Sequence, residues 1–179
     1  MRLTVLSVKK ITVASLLAAF AVILSYVESV SGINAIMPVA GIKLGIANIA
    51  VVLVSYHISL NLGIAVSLIR VFVNALLFGT PTTLVFSLFG AVLSFLFIAF
   101  SKKVLKNKVS LVGVCIGSSA MHITGQLIAA SFMIGDLSVI RLLPAYLVIS
   151  SVSGIFTGII SEVISSPLKR IMKGEKSDV

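Results

Sequence analysis

The sequence predicts an all-α integral membrane protein: a six-transmembrane-helix bundle in one membrane domain, residues 1–179, with both termini cytoplasmic. Three observations predict it. The chain is 59% hydrophobic and only 11% charged, with a mean hydropathy of +1.22, far outside the soluble globular range. Its apolar residues come in runs long enough to cross a bilayer core, which takes about 20 residues at about 1.5 Å rise each. Its basic residues gather in three groups whose spacing along the chain fixes a side.

Span one runs over residues 11–27. Its basic lead imitates a secretion signal, but the further spans favour an uncleaved helix. The polar stretch ESVSGINAIMPVAG follows, with Pro38 and Gly41, and reads as an ordered external loop. Residues 42–78 are apolar almost throughout, too long for one crossing of a core about 30 Å thick, and divide at HISLN into spans 42–57 and 60–78. The turn GTP leads into span 82–100, which ends in the basic run KKVLKNK. Spans 111–134 and 142–164 complete the six, separated by GDLSVIR and followed by a short charged tail. A membrane β-barrel would show segments of about ten residues with alternating polarity, whereas these are apolar all round. Helices satisfy their own backbone hydrogen bonds in lipid. No internal repeat marks two homologous halves.

Arg2, Lys9 and Lys10 precede span one; Lys102, Lys103, Lys106 and Lys108 lie between spans four and five; Lys169, Arg170, Lys173 and Lys176 follow span six. With six spans all three groups fall on one side, the cytoplasmic one by the positive-inside bias. The net charge of +9 then reflects topology and anionic head groups of the lipid bilayer, with no nucleic acid partner.

Several chemistries lack their residues. Cys115, the single cysteine, lies inside a span, so no disulfide and no thiolate zinc site is expected. Two aspartates, Asp136 and Asp178, and three glutamates cannot supply the paired acidic motifs that hold magnesium and a diphosphate. A GxxxxGK phosphate loop is missing as well. The expectation is a non-enzymatic protein with no cofactor and no metal.

What remains is polarity where polarity is expensive. A charge at the bilayer centre costs about 2.5–3.5 kcal/mol on insertion scales, so Arg70 in span three needs a partner or a wet cavity. Asn74 follows on the same helical face. Span five repeats the arrangement with His122 and Gln126; span two brings Lys43 at its start and Asn48 about 7 Å deeper. In the predicted topology Asn48 and Asn74 lie about 6–8 Å below the outer boundary and Arg70 and Gln126 about 12 Å below it, with His122 near the middle. Lys43, Asn48, Arg70, Asn74, His122 and Gln126 are the candidate substrate-binding residues. Taken singly, each amide or imidazole is better explained as an interhelical tie, at about 0.6 kcal/mol per contact, but six polar residues at matching depth with two cations favour a site.

The stretch PVAGIKLGIANI, residues 38–49, reads as the descent from the external loop into span two. Pro38 and Gly41 shape the turn, Gly45 permits close approach, and an anion entering from outside meets Lys43 first and Arg70 deeper. A helix beginning here would add free N–H groups and its positive dipole end. The alternative is a Lys43 that merely snorkels to the interface. Small residues recur at four-residue spacing: Ala14 and Ala18 on span one, GVCIG at 113–117 and GIFTG at 154–158. Such spacing lets helices approach closely, most often within one chain.

PVAGIKLGIANI, SLIRVFVNALLFG and SSAMHITGQLIAA together resemble the Gx transporter family, also labelled heptaprenyl diphosphate synthase component I, which is similar to the substrate-binding S component of energy-coupling factor transporters. The resemblance covers nearly the whole chain. It implies a multi-pass protein of the bacterial plasma membrane that binds a small-molecule substrate from outside. It also implies docking on an energy-coupling transmembrane subunit driven by cytoplasmic ATPases, with Ala14 and Ala18 as the partner-helix contact. The synthase label implies a link to polyprenyl or quinone metabolism and points, as the alternative, to a non-catalytic membrane accessory subunit of heptaprenyl diphosphate synthase.

Overall fold

In a computed structural model, residues 2–31, 39, 41–105 and 108–173 are described, and they are helical almost throughout. The elements are α1 (Arg2–Val30), α2 (Asn48–His57), α3 (Leu60–Phe78), α4 (Pro81–Phe100), α5 (Leu111–Ile134) and α6 (Leu143–Lys173). A π-helical turn, Ser101–Leu105, extends α4, and a 3-10 turn, Leu137–Leu142, leads into α6. Pro38, Lys106 and Lys176 lie outside the described residues.

Local chemistry sets the boundaries. Ser59 and Ser110 cap α3 and α5 by accepting from the N–H of Leu62 and Gly113, each at 3.1 Å. At α4, Thr80 and Thr83 form a reciprocal cap around Pro81, whose missing N–H would have had no partner in any case. The helix therefore opens one residue before the predicted start at 82. Gly135 closes α5 in the left-handed conformation.

Five of these segments are long and apolar enough to cross a membrane: Val8–Val30, Leu60–Phe78, Pro81–Leu105, Leu111–Ile134 and Leu137–Met172. This is the pattern of a multi-pass membrane protein. The second predicted span is corrected. It is not a helix from residue 42 but the ten-residue α2, which reaches only about 15 Å, preceded by irregular backbone over residues 42–47. Gly41 just before the irregular stretch and Gly45 within it are both at positive φ (+89° and +84°). A β-carbon at Gly45 would also stand 3.0 Å from the His122 ring.

The packing is that of a bundle in lipid. Large apolar side chains such as Leu16, Phe72, Leu76, Phe132 and Val163 face outward, while serines are common in the interior, Ser55, Ser101, Ser118, Ser150 and Ser161 among them. Helix α2 is central: every residue from Asn48 to Ser55 is buried. It touches α1, α3, α4, α5 and α6, which suits a helix apolar all round. Helix α5 packs along α4 on one side and α6 on the other. Close approach falls where glycines meet backbone, Gly154 on Ile116, Gly158 on Val112 and Gly125 on Phe89. The glycines of GIFTG thus serve packing within the chain.

Helices α1 and α3 run side by side in the same direction, from the neighbourhood of Ile11 and Leu62 to the ring contact of Tyr26 with Phe78, centroids 4.5 Å apart. The start of α3 follows the end of α2. There Lys102 Nζ donates to the Ser55 and Tyr56 carbonyls and Ser165 Oγ meets His57 Nε2 at 2.9 Å. Lys9 and Lys10, Lys102 and Lys103, and Lys169 and Arg170 accordingly gather at one end of the bundle.

Candidate functional site

At the opposite end, the irregular backbone ahead of α2 must find hydrogen-bond partners away from water. Gln126 on α5 supplies two: its Oε1 accepts from the Lys43 N–H at 2.7 Å and its Nε2 donates to the Lys43 carbonyl at 2.9 Å. Glu28, near the end of α1 and only 2% exposed, supplies another by accepting from the Gly45 N–H at 3.0 Å, with the Leu44 N–H contributing more weakly. The first turn of α2 is closed by its own backbone, Asn48 N–H to Gly45 O at 2.9 Å and Ile49 N–H to Ile46 O at 3.2 Å. The expected free helix N-terminus at Lys43 is therefore absent: the helix starts five residues later and these N–H groups are engaged.

Beside this tie lies a cavity of about 20 Å³ lined by Glu28, Lys43, Arg70, Asn74, Ser87 and His122 among others. It has room for about one water. Four of the six predicted site residues, Lys43, Arg70, Asn74 and His122, converge on it. Arg70 is 4% exposed and lies within electrostatic reach of Glu28, as does Lys43. The predicted need of Arg70 for a partner or a wet cavity is met by both. Asn74 Nδ2 donates to the Arg70 carbonyl at 2.8 Å, while its Oδ1 has no partner among the described residues. The His122 ring is pressed against Gly90, where a β-carbon would stand 2.8 Å from Nδ1; the ring leans toward the Gly90 backbone, and Nδ1 makes no hydrogen bond of full geometry among the described residues.

The other two predicted site residues stand apart from the cavity. Gln126 spends its amide on the Lys43 backbone, and Asn48 Nδ2 donates to Ser94 Oγ on α4 at 3.2 Å. Both are helix ties in this structure. Glu28 and Ser87 are lining residues that the sequence reading did not select. A signal for Glu28 existed: a buried arginine asks for a countercharge, and Glu28 closes span one at the same end of the bundle. Asp136, in the turn between α5 and α6, is fully exposed; the Ser138 hydroxyl and N–H hold its carboxyl below the usual range, as a turn cap.

Ala14 and Ala18 are 3% and 7% exposed and belong to the chain's own core, with Ala21, Val51 and Val66. They form part of the floor of an apolar groove of about 630 Å³ between α1 and α3. A partner could reach them only by entering that groove.

No curated protein and no solved structure matches the chain. A family model described as heptaprenyl diphosphate synthase component I matches residues 17–164, a stretch that holds α2 to α5, the second half of α1, most of α6, and every residue of the cavity. The chain belongs to the heptaprenyl diphosphate synthase component I family.

Proposed function

We propose that the protein is the membrane-embedded substrate-binding subunit of an energy-coupling factor type uptake transporter in the bacterial plasma membrane, and that its substrate is a small anionic or amphipathic compound. The observation that carries this reading is the convergence on one cavity of Lys43, Arg70 and two buried polar side chains, Asn74 and His122, whose Oδ1 and Nδ1 make no full hydrogen bond among the described residues. The cavity lies in the half of the bundle away from the basic end. By the positive-inside bias that basic end is cytoplasmic, so the cavity faces the outside. Among the described residues, two cations against one carboxylate leave room for one more negative charge. The protein catalyses nothing itself; the energy comes from cytoplasmic ATPases through a coupling subunit whose helix enters the groove above Ala14 and Ala18.

A second reading is favoured by the family's description: a non-catalytic membrane subunit that recruits a prenyl diphosphate synthase. An anchor of that kind has no use for buried charge around a cavity, which is why transport is preferred.

Purification followed by mass spectrometry of bound small molecules tests both. On the transport reading a discrete compound accompanies the protein. Arg70→Ala then weakens its binding about 30-fold to several thousand-fold, the equivalent of about 2–5 kcal/mol for truncating one side of a desolvated charge contact. Thermal-shift titration with the identified compound measures the change. Unchanged affinity in Arg70→Ala would reduce Arg70 to an internal tie for Glu28. A protein that carries no compound but retains a soluble synthase subunit would be the anchor.

A further inference from the structure

The part of the cavity wall that resembles an anion receptor is already filled. Around Gly45, whose φ of +84° turns successive backbone N–H groups to one side, the Gly45 N–H donates to Glu28 Oε1 at 3.0 Å and the Leu44 N–H leans toward the same carboxylate. Convergent backbone donors of this kind form an anion-binding nest. Lys43 and Arg70 reinforce the nest electrostatically, and both act on Glu28. Next to the carboxylate the water-sized cavity presents Asn74 Oδ1 and His122 Nδ1, more than nine-tenths buried and making no hydrogen bond of full geometry among the described residues. The arrangement is a complete carboxylate site, plus a small polar antechamber, with a side chain of the same protein seated in it.

We infer that Glu28 is an internal stand-in for the ligand: the site recognises a carboxylate, and the ligand binds by displacing Glu28 from the Leu44–Gly45 nest and taking its place in the field of Lys43 and Arg70. This rests on the cavity being the ligand site and names its ligand class. It accounts for a cavity too small for a nutrient, since the space a ligand needs is the space the Glu28 side chain holds. It also gives an empty site a neutralised interior, because Lys43 and Arg70 keep a countercharge until the ligand brings its own. Exchange of one carboxylate for another leaves the buried charge balance intact, provided the displaced Glu28 reaches water at the nearby end of α1.

The test is rescue by a free carboxylate. Detergent-purified Glu28→Ala, which vacates the seat, is expected to melt below the natural protein. Acetate should then raise its Tm along a saturable curve, by about 3–6 °C near about 100 mM for a site with a Kd of about 10 mM. Chloride at matched ionic strength should not, and the natural protein, its seat filled, should not respond to acetate. Adding Arg70→Ala to Glu28→Ala should abolish the response. If Glu28→Ala does not survive purification, Glu28→Gln carries the test: its neutral amide competes weakly, so saturable acetate stabilisation is again expected. A flat acetate response in whichever of the two variants is measured overturns the inference, as does an equal response in the natural protein. Stabilisation by phosphate in place of acetate overturns the ligand class. Because acetate is the probe, the outcome is separable from the transport reading. A co-purified compound lost in Arg70→Ala, with no acetate rescue, sinks only the stand-in, while acetate rescue without any co-purified compound sinks transport and leaves the carboxylate site.

Discussion

The two ends of α2 face the same problem and solve it differently. A ten-residue helix buried in the middle of a bundle leaves backbone groups at both ends that lipid cannot satisfy. At its C-terminal end the Ile58 and Ser59 N–H groups return to the Val54 carbonyl at 2.9 and 3.0 Å, and Lys102 donates to the next two, Ser55 and Tyr56. That lysine's ammonium is used up as a helix cap, which also suits the negative end of the helix dipole. At the N-terminal end it is the backbone of Lys43 that is tied, by Gln126, while its side chain lines the cavity. One lysine therefore completes a fold and the other is left available for chemistry. The difference teaches that a cation near a broken helix becomes a binding candidate only after the backbone's own requirements have been assigned to other groups.

The largest effect is expected where the tie is deepest. Gln126→Ala strips partners from both the N–H and the carbonyl of Lys43 in a dry interior. At about 1–3 kcal/mol for each buried group left unsatisfied, it should destabilise the protein by about 2–6 kcal/mol. Thermal unfolding in detergent measures it. A loss of less than about 1 kcal/mol would mean that water reaches residue 43, and Gln126 would return to the list of residues available to a ligand.

The two lysines offer the sharpest contrast. Lys102→Met keeps the length of the side chain but leaves two carbonyls of α2 uncapped. It should lower stability by about 1.5–3 kcal/mol, the range for hydrogen bonds to charged groups, and leave ligand capture unchanged. Lys43→Met should do the reverse, with a smaller change in Tm and a slower association rate whose salt dependence is reduced. Melting curves and association kinetics on both variants, with the compound identified by mass spectrometry, decide. Equal losses of stability would erase the distinction between cap and site.

Much of this was legible in the sequence. Hydropathy and the polar breaks between runs placed α3 and α5 at residues 60–78 and 111–134, and the structure ends them there with serine caps at both starts and a glycine after each. The placement of Lys43, Arg70, Asn74 and His122 around one cavity was legible too, from depth and the cost of burying polarity. The irregular backbone at 42–47 was not: Gly41 and Gly45 announce a break, but residues 42–57 are apolar enough to pass for a crossing helix. Missing that break hid the work of Gln126 and Glu28, which exists only because the backbone there is unpaired. Likewise Gly90 gave no sign of making room for His122, since that contact depends on how α4 and α5 cross.

The smallest expected effect probes whether the C-terminal end of α2 is as dry as the N-terminal one. Ser165 Oγ and His57 Nε2 are 2.9 Å apart, joining α6 to the end of α2, and Ser165 is 6% exposed while His57 is half-buried. Ser165→Ala deletes one partner of a neutral hydrogen bond, whose net worth is about 0.5–1.5 kcal/mol. The remaining imidazole lies at the end of the bundle that carries Lys102, Lys169 and Arg170, next to the head groups, where water can replace the lost hydroxyl. The cost should therefore sit at the low end of that range, several-fold below Gln126→Ala measured under the same conditions. Both variants remove a neutral side-chain partner from one end of the same helix, Gln126→Ala taking two hydrogen bonds and Ser165→Ala one, so the loss per hydrogen bond is the quantity that reports solvent access. Comparable losses per hydrogen bond would mean that both ends are sealed from water, and the contrast between them would then rest on which groups tie the backbone and not on solvent access.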